Sequence, residues 1–206
     1  HAFSVKVEAL NAPVTAAILA GGHAHRLGGR DKTALRLGSE SILERQVTVL
    51  REITASIVVV TTARRHAGGR GVRTAVDRLR GAGPLGGIYT AIQFAAPGVA
   101  LVVAGDMPFL TAPFLRRLLA AAAGADAAVP RAADGWQPLC AVYTPGAAEP
   151  IRRRIESGRL KVIDALADLR VREVGPEEIA RYDPDGTLFF NLNTPDDYQR
   201  ALAVLR

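Results

Sequence analysis

Short, almost wholly apolar runs rich in β-branched residues alternate along this chain with segments whose apolar residues recur at helical spacing. Val14–Leu19 is such a run, Ile57–Thr61 (IVVVT) a second; Val72–Val76 (VRTAV), more polar, reads as a short third strand, and Val99–Ala104 (VALVVA) is a fourth and again apolar run. Runs this short and unbroken read as strands buried on both faces. Between them, Ser41–Glu52 carries Ile42, Leu43, Val47 and Leu50 on one helical stripe. Leu85–Phe94 reads as a helix that opens with glycines, and Pro113–Ala122 as a helix following the fourth strand.

The second half is less regular. Ala127–Val129 and Leu139–Tyr143 flank the turn-rich PRAADGWQP and are expected to pair antiparallel. Glu149–Glu156 reads as a helix ending at Gly158, while Val171–Val174 and Leu188–Leu192 read as strands. NTPDDYQRALAVL has a strong helix start: Thr194 as N-cap, Pro195 in the first helical position, Asp196 and Asp197 at the positive end of the dipole. Strands and helices in alternation, joined by right-handed crossovers, predict an α/β fold. The expected form is a three-layer, Rossmann-like, mostly parallel sheet with an antiparallel C-terminal elaboration. No repeat, low-complexity tract or linker interrupts it, so residues 1–206 are expected to form a single domain.

Composition narrows the function classes. The chain has 206 residues, 49% of them hydrophobic and 22% charged, an ordinary globular balance. The formal charge is +6, nearly all from arginine, because lysine occurs only at Lys6, Lys32 and Lys161. The arginines are scattered and rarely alternate with aromatics, which argues against a nucleic-acid stacking platform and is compatible with a polyanionic small ligand. Cys140 stands alone, so no intrachain disulfide is possible, and a cytoplasmic setting is expected. No secretory signal is visible, and the longest apolar run, Leu118–Val129, is too short to span a bilayer. His1 is expected to be a remnant of cloning and carries no argument.

Candidate chemistry gathers at the ends of the strands. AAILAGGHAHRLGGRDK, Ala16–Lys32, leaves the first strand through Gly21 and Gly22 and carries Arg26 and Lys32. Its spacing fits neither a Walker A loop nor a dinucleotide fingerprint. Glycines there let backbone N–H groups approach phosphate oxygens, with Arg26 and Lys32 as cationic donors; the same segment also reads as a Gly-rich surface turn. In ALVVAGDMPFL, Asp106 follows the fourth strand at once, which suits a Mg²⁺ ligand, though taken alone the segment reads more readily as a helix-capping or turn aspartate. In VDRLRGAGPLGGIYTAI, Asp77 follows the third strand, and Gly81, Gly83, Gly86 and Gly87 lead into a helix. In FFNLNTP, Asn191 and Asn193 stand two apart, so an extended chain would turn both to one side. In DGWQPLCAVY, Trp136 and Gln137 occupy a loop tip, where the indole could stack on a planar ring or cover the core edge. Together these predict a cleft across the carboxyl ends of the strands.

LAGG…RLGGRDK, VD…GAGPLGGI, GDMP, QPL and NLNTP, in that order, resemble the molybdenum cofactor guanylyltransferases. The resemblance runs from about Ala16 to the C-terminus. It implies that Leu19, Ala20, Gly21 and Gly22 wrap the nucleotide, that Lys32 contacts its phosphates and that Arg26 faces the triphosphate. It further implies Thr61, Asp77 and Gly83 on the nucleotide side and Mg²⁺ on Asp106. Gln137, Asn191 and Asn193 would then lie toward the acceptor. Thr61 stands where such proteins often have an asparagine that helps read guanine, and Leu27 replaces a usual methionine.

The implied reaction transfers GMP from GTP to the terminal phosphate of the molybdopterin cofactor, with release of pyrophosphate. That nucleophile is already anionic, so no protein base is required, and His23 and His25 have no necessary part. CTP as donor, or another small phosphorylated acceptor, is the nearest alternative. A non-catalytic nucleotide- or cofactor-binding module is the alternative of a different class. Molybdoenzymes or cofactor-insertion proteins are the protein partners such a product implies, with no membrane or nucleic-acid partner.

Overall fold

The computed structural model describes residues 12–20, 34–62, 71–77, 79 and 81–205. Its strands are β1 (Val14–Leu19), β2 (Arg36–Leu37), β3 (Glu40–Ser41), β4 (Ile57–Thr61), β5 (Val72–Val76), β6 (Val99–Ala104), β7 (Ala127–Ala132), β8 (Gly135–Trp136), β9 (Cys140–Tyr143) and β10 (Val171–Val174). Its helices are α1 (Ile42–Arg51), α2 (Gly83–Ala95), α3 (Ala112–Ala121), α4 (Ala148–Glu156), α5 (Val162–Ala165), α6 (Pro176–Ile179) and α7 (Pro195–Val204).

The main sheet runs β10-β7-β9-β6-β1-β4-β5, with β8 paired to β7. β5, β4, β1 and β6 are mutually parallel, and β9 enters antiparallel between β6 and β7. The predicted antiparallel pair therefore forms, with Ala127 opposite Tyr143 and Ala128 opposite Val142.

Why β1, β4 and β6 are apolar at nearly every position follows from the pleat. Side chains alternate between faces, and each face has its own core. Ala16, Ile18, Ile57, Val59, Leu101 and Val103 join Val47 and Leu50 of α1 and Phe114, Leu115 and Leu118 of α3. Ala17, Val58, Val60, Ala100 and Val102 join Leu85, Ile88 and Ile92 of α2 and Ile151 of α4. Burying each large side chain contributes roughly 1.5–3 kcal/mol before entropy is set against it. α1 begins at a capping box, with Glu44 N–H donating to Ser41 Oγ and Ser41 N–H donating to Glu44 Oε2.

One expected strand does not form. Leu188–Leu192 is irregular, because its backbone bonds go elsewhere: Phe190 N–H donates to Thr187 O and Leu192 N–H to Asp106 O. Its apolar side chains serve two different cores. Leu188 and Phe189 join the α1/α3 face, while Leu192 joins a small third core with Leu37, Ile42 and Ala201, flanked by Phe190 and Tyr198. That third core fastens α7 beneath the β2–β3 hairpin, and Tyr198 OH donates to Arg36 O at 2.8 Å.

Candidate functional site

Parallel register sets the site. Leu19 is level with Val60 on one side and Ala104 on the other, and Thr61 is level with Val76. The carboxyl ends of β5, β4, β1 and β6 thus come out side by side, carrying Asp77, Thr61, Ala20 and Asp106 onto one edge of the sheet, where open α/β sheets bind ligands. The ladder continues past the strands: Asp77 N–H donates to Thr61 O, Ala20 N–H to Val60 O and Gly105 N–H to Leu19 O. These residues are therefore held by backbone bonds.

The Asp77 carboxylate has internal work. Its Oδ1 accepts from Leu79 N–H at 2.9 Å and from Thr90 Oγ1 at 3.1 Å, fixing the entry to α2. Gly86 and Gly87 lie inside α2, and protein atoms press on them. A Cβ at Gly86 would stand 2.8 Å from Asp77 Oδ2, and one at Gly87 would stand 3.3 Å from Leu19 Cδ2. Gly83, at the exposed start of α2, has a positive φ of +58° with open space around it.

Asp106 is half-buried in the turn after β6. Three carbonyls of residues 104–107 are gripped. Asp106 O accepts from Leu192 N–H at 2.9 Å. Ala104 O and Met107 O accept from Gln46 Nε2 at 2.7 and 2.9 Å. The Leu192 bond ties the segment carrying Asn191 and Asn193 to the Asp106 turn, although the strand expected to carry them is absent. Asn191 Nδ2 donates to Phe189 O. Asn193 is positioned by α7, where its N–H and that of Thr194 both donate to Asp197 Oδ2. The Arg200 guanidinium, with help from these N–H groups and the Thr194 hydroxyl, holds the Asp197 carboxyl well below the usual range.

Next to Asp106 opens a cleft of about 320 Å³ lined by Met107, Gln137, Leu139, Lys161, Val162 and Asn191, among others. Gln137 is set by its N–H to Pro130 O and by its Nε2 to Asp134 Oδ1. Trp136 is half-buried against the α2/α4 core with Arg131 5.4 Å over its ring, so it covers the core edge. Sequence reasoning passed over Lys161, which lies at the N-terminus of α5, mostly exposed, 3.4 Å from Asp164. Its rarity among so many arginines was the available signal. Gly21, Gly22, Arg26 and Lys32 lie outside the described residues, as do His23, His25 and Leu27.

No group of three or more His, Cys, Asp or Glu side chains that could hold a metal occurs among the described residues. Asp106 offers a single hard oxygen donor group at a strand end. That fits an ion such as Mg²⁺, which commonly takes one or two carboxylates and completes its shell with substrate phosphates and water. No helix among the described residues is long and apolar enough to cross a membrane.

Comparison with known proteins bears on the family. The family model described as the MobA-like NTP transferase domain matches residues 16–171. A protein of Pelotomaculum thermopropionicum named probable molybdenum cofactor guanylyltransferase is 36% identical, with 91% of each chain covered. One of the same name from Opitutus terrae is 37% identical over 89% of this chain and 92% of its own. Among solved structures, molybdopterin-guanine dinucleotide biosynthesis protein A from Archaeoglobus fulgidus superposes with a TM-score of 0.77 at 30% identity, covering 93% of this chain and 98% of that one.

Proposed function

The chain belongs to the MobA-like NTP transferase family, and from that premise we propose that it transfers GMP from GTP to the terminal phosphate of the molybdopterin cofactor. The observation that carries this reading is the half-buried Asp106, set between a row of strand ends and a cleft lined by Gln137, Lys161 and Asn191. The nucleotide lies along the ends of β5, β4 and β1, against Leu19, Ala20, Thr61, Asp77 and Gly83. The acceptor lies in the cleft, where the apolar walls of Met107, Leu139 and Val162 suit a flat ring system and Lys161 suits its phosphate. Gln137, Asn191 and Asn193 orient the acceptor. The described elements act as one nucleotidyltransferase unit in the cytoplasm.

In the reaction, a phosphate oxygen of the acceptor attacks the α-phosphorus of GTP. The bond from that phosphorus to the bridging oxygen of the β-phosphate breaks, and pyrophosphate carries away the electron pair. The nucleophile is anionic at neutral pH, so the protein's task is to hold two polyanions in line and offset their repulsion. Asp106 would hold Mg²⁺, which when bound neutralises charge on the phosphates. Lys32 and Arg26, within the Gly-rich segment after β1, would stabilise the departing pyrophosphate.

Turnover with GTP, CTP and ATP in parallel, with molybdopterin as acceptor and pyrophosphate release as readout, tests the reading. GTP is expected to be used best. A clear CTP preference would reassign the donor, a result to which Thr61 at the end of β4 gives a specific route. Asp106→Ala and Lys32→Ala are each expected to slow turnover on the order of a hundredfold. Unchanged turnover in either would remove that residue from the machinery.

A further inference from the structure

Gln46 is a polar side chain in an apolar row. On α1 it falls between Ile42 and Leu50 at helical spacing, and all three are buried, Gln46 to 2% exposure. Its Nε2 donates to Ala104 O and Met107 O, the two carbonyls that bracket Gly105 and Asp106. Both neighbours are acceptors, which fixes the orientation of the amide. Its other end, Oε1, is buried with no hydrogen-bond partner among the described residues. An unpaired buried acceptor lowers stability, and a methionine of similar length would fill the same space without one. Packing therefore does not account for a glutamine here, whereas the pair of bonds to the Asp106 turn does. Leu192 N–H to Asp106 O and Gly105 N–H to Leu19 O hold the same turn through backbone bonds. The grip of Gln46 depends on a side chain.

We propose that Gln46 is a positioning residue for Asp106. By clamping the backbone on both sides of the aspartate, it presents the carboxylate to a divalent cation in one geometry, without itself touching substrate. This rests on the reading of Asp106 as the cation ligand. Groups that orient a metal ligand typically change metal affinity on the order of 10–100-fold when they are replaced.

Gln46→Met keeps the length and removes both donors. Gln46→Asn keeps the amide but is too short to span both carbonyls. Leu50→Ala, fully buried one turn further along α1, weakens the same helix without touching the turn. The readouts are Mn²⁺ binding by electron paramagnetic resonance, with a non-hydrolysable GTP analogue present, the melting temperature, and kcat and KM at limiting and saturating Mn²⁺. Gln46→Met is expected to weaken Mn²⁺ binding on the order of tenfold, and its lost turnover returns at saturating metal. Gln46→Asn falls in between, and Leu50→Ala melts lower while keeping the parent's Mn²⁺ affinity. Parent-like Mn²⁺ affinity in Gln46→Met overturns the proposal, as does an equal loss in Leu50→Ala; if Gln46→Met does not fold, Gln46→Asn decides. Asp106→Asn run alongside separates the two ideas. If it retains Mn²⁺ binding, the metal reading of Asp106 fails. If it loses binding while the Gln46 variants do not, only the positioning role fails.

Discussion

At Gly86 the contact with Asp77 leaves no room for a side chain. A Cβ would stand 2.8 Å from Asp77 Oδ2, 2.9 Å from Ala82 Cβ and 3.2 Å from Leu79 O. Alanine is normally favoured over glycine in a helix by about 1 kcal/mol, so Gly86→Ala sets intrinsic propensity against a clash. The clash wins, because its partners are a pinned carboxylate, a helix-start residue and a backbone carbonyl. Thermal melts are expected to place Gly86→Ala below the parent, and below Gly87→Ala, whose Cβ meets only the flexible end of Leu19 at 3.3 Å. A Gly86→Ala protein that melts above the parent would contradict this account. The sequence made both glycines visible as close-approach positions but not what approaches them. Nothing local in GPLGG says that its neighbours are Asp77 and Leu19 rather than a phosphate, since that depends on α2 folding back onto β1. Lys161 and Gln46 were hidden for the same reason, being far in sequence from the Asp106 turn they adjoin.

Elements were legible where their own residues decide them. Thr194 was readable as an N-cap, and its hydroxyl accepts from Asp197 N–H at 3.1 Å while the Asp197 carboxylate answers with bonds from Asn193 and Thr194. Thr194→Ala is expected to cost about 1 kcal/mol of stability in urea unfolding. Because the same network sets Asn193, that variant is also expected to raise KM for the acceptor more than KM for GTP. Equal changes in both would show that the cap supports the fold alone. Leu188–Leu192 was misread because its apolar residues mimic a strand. They divide between two cores by following an irregular backbone, a difference that hydrophobicity does not record. The short β2–β3 hairpin carries too few residues for any period to register.

For the molecule as a whole, the strands β1, β4 and β6 were readable because burial on both faces demands apolar residues at nearly every position. The antiparallel entry of β9 between β6 and β7 was not, since pairing order depends on long-range contacts. On the far side of the sheet, ion pairs tie β7 and its approach to β10 and its approach. Asp126 Oδ1 accepts from Arg170 Nη2 at 2.8 Å, and Asp126 Oδ2 accepts from Arg170 N–H at 2.9 Å, joining the approach to β7 to that of β10. The Arg170 side chain, then its backbone N–H, hold the Asp126 carboxyl below its usual value, as Arg200 does for Asp197. Carboxyls depressed in the folded state contribute stability that is fully present above their unfolded value, about 3.9, and lost as pH falls through the folded one. Stability measured by urea unfolding is therefore expected to hold level from pH 7 to about 5 and to decline below about 4. Asp126→Asn should flatten part of that decline; an unchanged acid limb would show that the ion pair does not set it.

The bond from Leu192 N–H to Asp106 O has a consequence in the order of synthesis. A ribosome delivers Gln46 and Asp106 long before it delivers Leu192 and the α7 residues that pack on the β2–β3 hairpin. The parallel strands and their two large cores can thus assemble on a nascent chain whose Asp106 turn is still open on one side. On the acceptor placement proposed above, competence to bind the acceptor would arrive only when residues 188–202 have left the exit tunnel, so a stalled chain would hold the sheet without a finished site.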